Sequence, residues 1–108
     1  MPAAKLPAIP APDGLSDRAT ALWHAVVPAR AVSAGRRALV EEALRALDRA
    51  DEARALVDAE GLCTTTATTK AVHVHPAAKI EREARQMFAK IWSGMHLEFS
   101  AREDGRSF

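Results

Sequence analysis

Between Ser33 and Gly61 the chain carries no proline and, after Gly35, no glycine, and this stretch restricts the possible folds more than any other. Ser33 is a good N-cap, because its hydroxyl can accept from a first-turn amide. Gly61 supplies the left-handed stop. Between them Leu39, Val40, Ala43, Leu44, Leu47, Ala50, Leu56 and Val57 recur at helical spacing. The other side pairs Glu41 with Arg45 and Arg54 with Asp58 at i,i+4. Arg45–Asp48, Arg49–Glu52 and Asp51–Arg54 follow at i,i+3, each pair adding a few tenths of a kcal/mol to an exposed helix face. The spacing predicts one helix over residues 34–60, roughly 40 Å long at about 1.5 Å per residue. A single short preceding helix cannot cover that length, so the pattern predicts burial against a neighbouring copy.

The rest of the chain is arranged around this rod. Pro2, Pro7, Pro10 and Pro12 exclude a helix or central strand from residues 1–14, which read as a flexible Pro/Ala-rich arm. Ser16 caps a first helix expected over about 16–28, with Asp17 placed favourably in its first turn and Pro28 ending or kinking it. Leu22, Trp23, Val26 and Val27 share its inner face. The β-branched run of residues 62–74 predicts a small hairpin, Leu62 to about Thr66 and Ala71 to Val74, turning near Ala67–Lys70. Pro76 suits the first position of a third helix over about 76–93, with His75 as its cap. Ile80, Ala84, Met87, Phe88 and Ile91 form that helix's apolar face, and Gly94 is expected to stop it. The expectation is a mainly α domain over residues 15–100, with three helices and a hairpin between the second and third, forming a ring of identical copies. Residues 101–108 read as a polar tail.

Bulk numbers limit the function classes. The chain has 108 residues, enough for one domain, and much of its 48% hydrophobic content is alanine, which favours helix but fills little core. A net charge of +1 is no polyelectrolyte signature, so any nucleic-acid contact must come from local clusters or many copies. The single cysteine, Cys63, cannot form an intrachain disulfide, and no leader-like or membrane-length apolar run is visible. These features predict a soluble cytoplasmic protein with no membrane partner.

No reaction chemistry stands out. His73 and His75 lie on one face of a strand with Cys63 able to approach from its partner, but zinc sites need four recurring ligands and the set stops at three. Neither a nucleophile elbow nor a phosphate-binding loop is present. No enzyme, metal or cofactor is expected. The nucleic-acid candidates are better ordered. Lys79, Arg82, Gln86 and Lys90 fall on one stripe of the third helix, nearly opposite its apolar face, with Lys70 and His73 ahead of them in the hairpin. Arg36 and Arg37 form a second doublet at the start of the long helix, where cations run against the dipole. A conventional helix-turn-helix fits poorly, because the second helix is too long for a recognition helix and the turn lacks a glycine.

The order of parts resembles the phage terminase small subunits of tailed phages, prophages and gene transfer agents. The resemblance covers residues 14–102. It rests on Leu15–Ser16 with Leu22–Trp23 and Val27–Pro28, on Glu60–Gly61–Leu62, and on His75–Pro76–Ala77 with Lys79. It implies a ring-forming subunit that binds the viral double-stranded DNA, presents it to the large terminase subunit and carries no catalytic residue itself. The start of the long helix departs from the acidic character such proteins often show there, since it carries Arg36 and Arg37. The alternative from another class is a protein–protein adaptor that regulates the packaging motor with little sequence-specific DNA binding.

Overall fold

A computed structural model describes residues 8–65 and 72–97. Its elements are α1 (Asp17–Arg30), α2 (Ala34–Glu60), β1 (Cys63–Thr65), β2 (Val72–Val74) and α3 (Pro76–Gly94). The hairpin pairs antiparallel, with Cys63 opposite Val74, Thr64 opposite His73 and Thr65 opposite Val72. The expected turn near Ala67–Lys70 lies outside the described residues.

Local chemistry explains the helix starts. The Ser16 hydroxyl accepts from the Ala19 amide at 3.1 Å and Ser33 from the Arg36 amide at 3.3 Å. His75 caps α3 through Nδ1, which accepts from the Ala77 amide at 3.0 Å. One stop departs from expectation. Pro28 lies inside α1, which runs on to Arg30. This close to the C-terminus Pro28 removes only one amide donor, and the Ala31 amide still reaches the Val27 carbonyl at 3.1 Å. α3 ends at Gly94 as expected, but Gly94 does not supply the left-handed residue that closes it. His96 does so at φ 57°, with the Leu97 amide bonding back to the Trp92 carbonyl at 3.0 Å.

Two different interfaces flank α2. On one side Trp23 and Val27 of α1 join Val40, Leu44 and Leu47 in a core that also takes Met95 and Leu97. Phe88 and Trp92 of α3 stack beside this core with ring centroids 4.9 Å apart. Further along, α3 runs back beside α2 and seals against it with small residues. Ala46, Ala50, Ala53 and Val57 are buried on one face of α2, and Ala77 and Ala84 are the buried residues of α3. Thus α3 itself covers much of the rod that the sequence assigned to a neighbouring copy. Leu39, Leu56, Ile80 and Met87, all expected on apolar faces, remain about half exposed.

The flexible-arm reading also needs correction. Residues 8–14 lie against the helices. The Trp23 indole donates to the Ile9 carbonyl at 2.9 Å, Arg45 donates to the Asp13 carbonyl at 3.3 Å, and Ile9 and Ala11 pack on the core. A buried indole N–H needs an acceptor, and this segment supplies it.

Candidate nucleic-acid interface

The seam with α2 fixes which side of α3 faces outward. Ala77 and Ala84 set the inward direction, and at 3.6 residues per turn Lys79, Arg82, Gln86 and Lys90 fall in an arc of about 80° on the other side. All four are exposed. Lys79 to Lys90 spans roughly 16 Å along the axis. Lys79 makes a loose pair with Glu83 at 3.8 Å, its own side chain 71% exposed. Arg82 and Lys90 have no ion-pair partner among the described residues.

Arg85, on the same helix, is different. Its guanidinium reaches Glu81 at 3.0 Å and Asp51 at 3.2 Å. The hydrogen bond to Glu81, then that to Asp51, holds its pKa above the usual arginine value despite some desolvation. Arg18 of α1 reaches the same Asp51 at 3.2 Å, and Arg54 approaches Glu81 at 3.9 Å. These residues form a polar brace across three helices and offer no free charge to a ligand.

The remaining sequence candidates are scattered. Arg36 donates to the Arg30 carbonyl at 2.8 Å and to the Met95 carbonyl at 3.1 Å. Arg30 in turn donates to the His96 carbonyl. The cation that opposes its own helix dipole therefore satisfies the carbonyl ends of α1 and α3, where positive charge is favoured. Arg36 acts as a brace, which explains its position without a DNA contact. Arg37 lines an open groove of about 520 Å³ with Ile9, Pro12, Trp23 and Glu41, on the α1 side of α2 and away from the α3 row. Lys70 lies outside the described residues.

No family model, curated protein or solved structure matches this chain. The assignment of a role therefore rests on the geometry of its own side chains.

His75 sits where α2, the hairpin and α3 meet. With Nδ1 accepting from Ala77, its other nitrogen carries the proton and donates to Glu60 at 2.9 Å, while its backbone amide donates to the Leu62 carbonyl at 2.6 Å. Cys63 is exposed, and no group of three His, Cys, Asp or Glu side chains converges among the described residues. Among the same residues no helix is long and apolar enough to cross a membrane. Sequence reasoning missed the brace around Asp51 and the grip of Asp48 on the start of α1. The Asp48 carboxylate accepts from the Ser16 amide at 2.8 Å and its hydroxyl at 2.5 Å. These partners are 32 residues apart, and no local pattern signals them.

Proposed function

We propose that this chain is the small subunit of a phage-type terminase. In this reading it is a multi-copy, ring-forming subunit without catalytic activity, acting in the bacterial host cytoplasm. It binds viral double-stranded DNA and hands it to the large terminase subunit to begin packaging. The observation that carries the DNA reading is the outward row on α3. Lys79, Arg82 and Lys90 are exposed along one side of a helix whose opposite side is anchored, while the nearby Arg85 is tied into ion pairs. The motif order from Leu15–Ser16 to His75–Pro76–Ala77 supports the family part of the reading.

The mechanism is phosphate contact from a rigid support. Three cations per copy give a salt slope of only about −2.7, so one copy holds DNA weakly and an array of copies multiplies the contact. Gln86 is suited to an adenine edge and Arg82 to a guanine edge, so direct readout from this face would be confined to a few base pairs.

The variant Lys79→Glu with Arg82→Glu tests this reading. In gel-shift titrations over a salt series it should lose retention of duplex DNA and show a salt slope shallower by about 1 per removed cation, with its assembly mass unchanged. Unchanged retention at low salt would take α3 out of the DNA site. The adaptor reading would then stand, with the row meeting an acidic surface of the large subunit.

A further inference from the structure

One flank of the α2–α3 pair is apolar where the helices meet solvent. Ile80 and Met87, two turns apart on α3, are 45% and 49% exposed. They border a groove of about 230 Å³ with Ala84 as a floor, Arg49 of α2 on one wall and Glu83 of α3 on the other. Leu56, 48% exposed, continues the apolar strip on the same side of α2 as Arg49, seven residues further along. Arg49 has no ion-pair partner among the described residues, and Glu83 has only the loose contact with Lys79. The groove thus presents an unpaired guanidinium and a weakly held carboxylate between large apolar side chains.

We infer that this flank pairs with the same flank of a second copy of the chain about a two-fold axis. The patch is its own complement. A two-fold contact brings residue i against residue j and j against i, so the two Arg49 guanidinia and the two Glu83 carboxylates gather around the axis, each guanidinium within reach of the other copy's carboxylate. The apolar residues fit the same symmetry. The midpoint of Ile80 and Met87 falls between Glu83 and Ala84, so an antiparallel α3 lays Ile80 of each copy beside Met87 of the other. Ala84, 5% exposed, adds no bulk that would hold the two helices apart.

The pairing stands on this flank alone and does not depend on the DNA reading. It also constrains it. An axis normal to the plane of the two α3 helices reverses their direction but keeps their outer faces on one side. The two Lys79–Lys90 rows then lie side by side on one surface. A two-fold contact closes on itself, so a ring containing it requires a second, different interface and an even number of copies.

The experiment uses the full chain and two single variants, Arg49→Glu and Glu83→Arg, followed by sedimentation velocity at micromolar concentration with circular dichroism as the check on folding. Wild type should form even-numbered species. Each single variant places like charges across the contact twice and should associate at least tenfold more weakly. An equal mixture of the two should recover association. The carboxylate introduced at position 49 in one variant then meets the guanidinium introduced at position 83 in the other, and the native Glu83 and Arg49 meet across the second contact. Recovery in the mixture distinguishes pairing between copies from an ion pair within one chain. A monomeric wild type, single variants that associate like wild type, or a mixture no more associated than its components overturns the inference. Met87→Asp gives a second reading through the apolar strip and should weaken association in the same assay. Arg82→Glu should weaken DNA retention while leaving pairing intact, so failure of one reading is separable from failure of the other.

Discussion

The two ends of α2 are held by different physics. Near its start Val40, Leu44 and Leu47 are at most 2% exposed and enclosed by Trp23, Val27, Phe88 and Trp92. Near its end the buried set is Ala53, Val57 and Ala77, with Ala78 beside them. The first end contains large side chains whose burial removes substantial apolar area from water, each worth about 1.5–3 kcal/mol when fully buried. The second has mostly methyl groups, and polar contacts supply what burial does not. Arg85 with Asp51, Arg54 with Glu81, and His75 with Glu60 and the Ala77 amide all lie in that half. The lesson is that one helix pair can have one end fixed by packing and the other by directional bonds.

Each end can be challenged separately. Leu44→Ala should have the largest effect, about 2–5 kcal/mol of lost stability, read as a lower urea midpoint for the whole domain. A loss under about 1 kcal/mol, below the usual range for such a truncation, would mean the aromatic end is not the main source of stability. At the other end His75→Ala should cost about 1–2 kcal/mol by removing the helix cap. Hydrogen exchange should quicken first at the Ala77 amide and then along the first turn of α3. His75→Asn should recover most of that loss, since an amide oxygen caps well even without the link to Glu60. The smallest change probes the packed end. His96→Gly should gain roughly 0.5 kcal/mol by relieving a left-handed histidine, seen as a small rise in melting temperature, because the carbonyl that Arg30 uses is retained.

What was legible in the sequence was what local chemistry determines. Ser16, Ser33 and His75 announce their helices because a cap needs only its own side chain and an amide two or three residues on. The 34–60 helix and the β-branched strands follow from periodicity and side-chain branching. What was not legible depends on partners far along the chain. Arg36 reads as a free cation until the Met95 carbonyl, 59 residues away, is seen beneath it. Residues 8–14 read as an arm because nothing local reveals that Trp23 will take the Ile9 carbonyl. Pro28 misleads for a related reason: near a helix C-terminus the loss of one amide does not decide where the helix stops. The outward row on α3 was legible because it lies on one helix. The groove beside Arg49 was not, because Ile80 and Met87 look like core until α2 is seen to cover only part of their face.

The alanine seam also bears on how α3 is positioned. Methyl groups interlock poorly, so shape alone sets little of the axial register in the far half of the pair. That register is held by charge. The groups involved are substantially exposed, with Arg54 at 57% and Arg85 at 41%, and such attractions weaken as electrolyte is added. In the proposed reading ionic strength therefore acts on this molecule twice: through the phosphate contacts assigned to Lys79, Arg82 and Lys90, and through the alignment of the helix that carries them.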